Sequence, residues 1–144
     1  MYKQIVVALD REDPVGTALI AERCQALAQE GPARFTLVHV RVPIPPAYLD
    51  VLPAQWQTTQ RNEAESWLSA CAREHGLSDR LHAVHSPEGS VSVGVIAVAR
   101  EVKADLIVLA AHKMDLQRLV LGTSALAIAR DAPCDALVVR ATET

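Results

Sequence analysis

Asp105-Leu106-Ile107-Val108-Leu109-Ala110 is the purest strand signal in the chain, and its reading decides the fold. Apolarity here is continuous rather than alternating, as it is where a strand is covered on both faces in a parallel sheet. Gln4-Ile5-Val6-Val7-Ala8-Leu9, closed by Asp10, reads the same way, as does Phe35-Thr36-Leu37-Val38-His39-Val40. Arg80 to His85 is shorter and more polar, which suits an edge. Ala136-Leu137-Val138-Val139 is apolar at each position, so both of its faces need cover.

Helical signals fill the intervals. Asp13-Pro14 sets an N-cap before a proline at the first helical position. Ala18, Ala21, Cys24, Gln25 and Ala28 then recur at helical spacing as far as Gly31-Pro32. Pro43-Ile44-Pro45-Pro46 reads as a loop, because closely spaced prolines suit neither helix nor central strand. A long helix runs from near Pro53 to about His75. Trp56, Ala64, Trp67, Leu68 and Cys71 form its apolar stripe, and Gly76 is its C-cap. The spacing of Val95, Ile96, Val98 and Ala99 predicts a helix over 92–102, and a last helix runs from about Thr123 to Arg130.

Strands alternating with helices imply an α/β fold, a doubly wound five-stranded parallel sheet with helices on both faces. Short right-handed connections favour the strand order 3-2-1-4-5. Its switch point falls between strands 1 and 4, and ligands bind there, beyond the carboxyl ends of the strands. The residues to watch are Asp10 and its successors, Val40 to Val42, and Ala110 through Ser124. With no linker, repeat or low-complexity stretch, 144 residues read as a single domain, 1–144.

Composition narrows the function. Apolar residues make up 50% and charged residues 22%, which excludes disorder. The net charge of −3, the scattered basic residues and the scarcity of aromatics (3%) argue against a nucleic-acid partner. The longest apolar runs fall far short of the ~20 residues that cross a bilayer, so no membrane partner is expected. Met1-Tyr2-Lys3-Gln4 leads straight into a strand without signal-peptide features, which points to the cytoplasm. Cys24, Cys71 and Cys134 lie too far apart for a redox or zinc motif and read as free, buried thiols.

An enzyme of a defined reaction class is not indicated. There is no G-x-S-x-G, no Walker lysine and no G-x-G-x-x-G, and the acids do not cluster; Ser124 opens a helix without an evident base. His82 and His85, three apart on a strand, point to opposite faces and do not form a metal pair. His39 ends strand 2 as a hydrogen-bonded structural histidine.

Lys3-Gln4-Ile5-Val6-Val7-Ala8-Leu9-Asp10 resembles the opening of universal stress proteins. So do Leu37-Val38-His39-Val40, Asp105 to Leu109, Leu119-Val120-Leu121-Gly122-Thr123-Ser124, and the ending Ala132-Pro133-Cys134-Asp135-Ala136-Leu137-Val138-Val139. These segments span essentially the whole chain in the family's order, and the resemblance implies an adenine nucleotide alpha hydrolase-like fold. ATP-binding members resemble one another in G-x2-G-x9-G-[ST] after the fourth strand, with an aspartate ending the first. Glycines there let backbone N–H groups approach phosphates, and the hydroxyl residue opens an anion-favouring helix. Asp10 and Gly122-Thr123-Ser124 fit this pattern. The earlier glycine positions fall on Ala110 and Lys113, and eight residues separate Lys113 from Gly122, one fewer than the pattern asks.

That departure is similar to the glycine-poor branch of universal stress protein A. The resemblance therefore implies a cytoplasmic homodimer, paired through Ala136 to Val139, acting through protein contacts with weak or no ATP binding. The alternative is a sensor of ATP or AMP. Its ligand would lie against Asp10, Val40, Ala110, His112, Lys113, Gly122, Thr123 and Ser124, with Lys113 placing its charge on a phosphate and His112 contacting phosphate or moving a proton. Asp10 has two roles open to it, contact with a base or ribose and capping of the turn toward Asp13.

Overall fold

The five apolar runs become the five strands in a computed structural model that describes residues 1–111 and 123–141. They are β1 (Gln4–Ala8), β2 (Arg34–Val38), β3 (Leu81–His85), β4 (Leu106–Ala110) and β5 (Asp135–Val139), all parallel, in the order β3-β2-β1-β4-β5. The expected order and switch point are both present. Val6 lies between Thr36 and Ile107 at the centre of the sheet. Asp105 sets the start of β4: its carboxylate accepts the backbone N–H groups of Lys3 and Gln4 at 2.9–3.2 Å, and its own N–H donates to the Gln4 carbonyl at 2.9 Å. One acid thus aligns the two central strands at their amino ends.

Alternation along the strands divides the core into two layers. Ile5, Val7, Leu9, Phe35, Leu37, Leu106 and Val108 pack with Ile20 and Cys24 of α1 (Pro14–Gln29) and with Leu68, Cys71 and Ala72 of α3 (Trp56–Glu74). Val6, Val38, Ile107 and Leu109 pack with Val95, Ile96, Val98 and Ala99 of α4 (Val91–Glu101) and with Ala125 and Ile128 of α5 (Thr123–Asp131). Between β2 and α3 lies one further turn of helix, α2 (Pro46–Leu49).

Local chemistry explains the helix ends. Asp13 caps α1, its carboxylate accepting from Gly16 N–H at 2.9 Å, and Pro14 follows at the first position. A Cβ on Gly16 would lie 2.1 Å from that carboxylate as it stands, so a larger residue there would require the Asp13 side chain to shift. Gly76 closes α3 at φ 71°, with Leu77 N–H donating to Ala72 O at 2.8 Å and Gly76 N–H to Arg73 O at 3.3 Å, a Schellman arrangement.

Four sequence expectations need correction. Ala18 and Gln25 are exposed, and the buried face of α1 is Thr17, Ile20, Ala21 and Cys24; the bulkier Ile20, not the alanines, sets the phase. Pro46 is not loop but the first residue of α2, where a missing N–H costs nothing. A register shift between Phe35 and Thr36 inserts a residue into β3, so Leu81 and Val84, three apart, both pack on the α1/α3 layer. The alternation that would separate His82 from His85 is interrupted there. Finally, β5 is not covered throughout: Asp135 and Ala136 are exposed, Leu137 and Val138 half-buried, and Val139 buried.

Among the described residues, no helix is long and apolar enough to cross a membrane. Burial of Cys24 pushes its thiol up to about 12, against an ordinary 9.0. The neutral form is favoured in the fold, so this contribution is whole below pH 9 and is lost as pH rises from 9 toward 12, where only the unfolded chain ionises. The expected slope is about 1.4 kcal/mol per pH unit in that window. Urea unfolding of Cys24→Ala against the parent should show a shallower alkaline decline.

Candidate functional site

The carboxyl ends of β1, β2 and β4 meet at one edge of the sheet. Leu9 continues the pairing past β1, its N–H donating to Val38 O at 2.8 Å. Asp10 then stands exposed at the edge. Its Oδ1 accepts Glu12 N–H at 2.9 Å and its carbonyl accepts Asp13 N–H at 3.0 Å, a tight turn that delivers the chain to the α1 cap. The capping role is therefore present, and it leaves the carboxylate at the surface.

His39 follows β2. Its N–H donates to His85 O at 3.1 Å and its Nδ1 donates to Leu9 O at 3.1 Å, the structural role expected for it. The ring also meets Trp67 edge-on, with centroids 5.5 Å apart. Val40 turns its side chain into the α4 layer and is 8% exposed. A Cβ on Gly94 would sit 2.8 Å from Val40 Cγ2, so α4 approaches this edge as closely as it does only because Gly94 is bare. Val40 thus shapes the edge from beneath.

Arg41, inside the watched stretch Val40 to Val42, extends the β2–β3 pairing beyond both strands. Its Nε and Nη2 donate to Ser86 O at 3.1 and 3.0 Å, and Ser86 Oγ donates to His39 O at 2.8 Å. Glu88 lies 3.9 Å from Nη1. Arg11 and Trp67 are a second pair that spacing could not reveal: the guanidinium carbon of Arg11 lies 5.9 Å from the Trp67 ring centroid. Trp67 packs against the core, as its stripe implied, while Trp56 is half-buried at the start of α3.

Ala110 ends β4 half-buried, and Ala111 N–H donates to Val139 O at 2.9 Å. A Cβ on Gly16 would come within 3.2 Å of Ala110 Cβ, so the methyl group is seated against the start of α1. Thr123 is exposed and Ser124 half-buried at the head of α5. The structure thus brings Asp10, Val40 and Ala110 onto three adjacent strand ends; in this topology the helix following β4 also starts at that edge, with Thr123 and Ser124. His112, Lys113 and Gly122 lie outside the described residues. Among the described residues, no group of three His, Cys, Asp or Glu side chains is placed to hold a metal.

The sequence profile of the universal stress protein family matches residues 1–140. The chain belongs to that family. A Staphylococcus aureus (strain USA300) relative named as a universal stress protein is 30% identical over 149 aligned positions, covering 99% of this chain and 86% of the relative. The fold is also that of solved family members. Universal stress protein UspA from Lactobacillus plantarum superposes with a TM-score of 0.73 at 22% identity, over 96% of this chain and 98% of that one. An Archaeoglobus fulgidus universal stress protein in complex with dAMP superposes at 0.64 with 18% identity, over 96% and 98%.

Proposed function

We propose that this universal stress protein acts in the cytoplasm as a homodimer that works through protein contacts, with weak or no affinity for ATP and no reaction of its own. The observation that carries this reading is Ala110. The first glycine position of the nucleotide-binding pattern holds a methyl group here, and that methyl is seated against Gly16 at the start of α1. A backbone that must approach phosphate closely gains from having no side chain at that point. The second glycine position is Lys113, and the segment to Gly122 is one residue shorter than the pattern asks.

A second reading, a sensor of ATP or AMP, draws on other features. Asp10 stands exposed at the switch point, and Gly122-Thr123-Ser124 keeps the last element of the pattern. Relatives of the same fold are described in complex with dAMP and with cAMP. Calorimetric titration with ATP separates the two. The expected dissociation constant is weaker than ~10 μM, or about −7 kcal/mol. Submicromolar affinity would favour the sensor, and Gly122→Val would then abolish binding while leaving the fold intact. Mass spectrometry of the denatured, purified protein reads any nucleotide carried through purification.

A further inference from the structure

Beside Asp10, on the α1/α3 side of the sheet edge, lies an open groove of about 520 Å³ lined by Arg11, Thr59, Asn62, Glu63, Ser66 and Trp67. None of Asp10, Val40, Ala110, Thr123 or Ser124 lines it. Its floor is fixed by the sheet. His39, anchored on Leu9 O, holds the Trp67 ring edge-on, and Arg11 lies over that ring. Among the described residues Arg11 has no carboxylate within ion-pairing distance, although Glu12 and Asp13 follow it in sequence and Glu63 lines the same groove. At 5.9 Å from the ring centroid the guanidinium is a cation–π neighbour of Trp67, and the ring takes none of its N–H donors. The opposite wall is one face of α3, where Thr59, Asn62, Glu63 and Ser66 recur at i, i+3, i+4 and i+7. Their side chains form no hydrogen bond to any described residue.

We propose that this groove binds the phosphate ester of a sugar, with the phosphate on Arg11 and the hydroxyls on Asn62 and Glu63. The guanidinium fork matches a phosphate in geometry and charge. Glu63 makes a bare anion a poor occupant, because an ionised carboxylate only accepts hydrogen bonds and needs a donor opposite it. Sugar hydroxyls supply that donor, and Asn62 can both donate and accept. Trp67 offers apolar surface for the carbon side of the ring. The ester is either free or the ribose phosphate of a nucleotide, and both share this chemistry.

The test uses the full chain. Trp56→Phe leaves Trp67 as the only tryptophan, so its fluorescence reports the groove; calorimetry on the unmodified protein serves if that variant does not fold. Ribose 5-phosphate should give a saturable change, with ribose and inorganic phosphate each binding at least tenfold more weakly. Arg11→Gln should weaken ribose 5-phosphate at least tenfold and Asn62→Ala several-fold, and both positions are exposed enough to leave the fold alone. AMP titrated in parallel separates the sources: tighter binding of ribose 5-phosphate identifies the free ester, tighter binding of AMP the nucleotide. A tight ATP site at Gly122 would persist in Arg11→Gln, so failure here is distinguishable from failure of the reading above. No saturable signal, equal affinity in Arg11→Gln, or inorganic phosphate binding as well as the ester would each overturn the assignment.

Discussion

Phe35→Ala is expected to lower the unfolding free energy by about 3–5 kcal/mol. Phe35 is the single phenylalanine of the chain and is 0% exposed. It sits on β2 between Ile5 of β1 and Leu81 of β3, and its ring belongs to the layer built with Leu68, Cys71 and Ile20. Two sheet neighbours and two helices surround it, so the walls cannot close over the space its ring leaves. The cavity therefore adds to the lost transfer energy. Natural domains hold about 5–15 kcal/mol in total, so the loss is between about a fifth and the whole of that reserve. Urea unfolding should show a lower midpoint at unchanged slope. Val42→Ala is the control: at 83% exposure it should stay within about 0.5 kcal/mol of the parent. A loss below about 1 kcal/mol at Phe35 would mean that the layer collapses onto the gap.

The contrast between those two residues marks what the sequence makes legible. Strands β1, β2 and β4 could be read because they are buried on both faces, and a short, continuous β-branched run suits little besides a covered strand. Their order followed from connection rules that act on any such alternation. The errors fall where local identity underdetermines phase. Alanines at Ala18, Ala21 and Ala28 fit either face of a helix, so the true face of α1 emerges only when Ile20 meets the sheet. The inserted residue in β3 leaves no mark in Arg80 to His85, because it depends on pairing with β2.

Site residues divide in the same way. The place of Asp10 at the sheet edge was legible because an acid closing a β-branched run is conspicuous, and that of Ala110 because the family's pattern asks for glycine there. The contacts of Arg11, Arg41 and Trp67 were not. Each acts through a partner remote in sequence: Trp67 under Arg11, Ser86 under Arg41. No spacing rule links them.

Val138→Pro is expected to convert the proposed dimer to a monomer at tens of micromolar while leaving the sheet intact. The argument begins with which amides face outward. Val139 O accepts Ala111 N–H, so the backbone polar groups of Val139 face β4. Those of Leu137 and Asp135 then face β4 as well, and those of Ala136 and Val138 face the open edge, since alternate residues in a strand present N–H and C=O to opposite sides. β5 is the last strand of the sheet, and Val138 N–H is therefore a donor that β4 does not use. Edge strands left unpaired usually carry a proline, an inward charge or a bulge, and Ala136 to Val139 has none of these. Pairing two such edges antiparallel about a two-fold axis would occupy the outward groups of both copies and set Asp135 of each near Arg140 of the other. Exposed Ala136 and the half-buried Leu137 and Val138 would then gain the cover that one copy does not give them. Proline at 138 removes one outward donor and places a ring in the seam, yet it breaks no bond to β4, the one setting in which a strand accepts it. Sedimentation should read a dimer for the parent and a monomer for Val138→Pro, with circular dichroism unchanged. A parent that sediments as a monomer at that concentration would end the proposal.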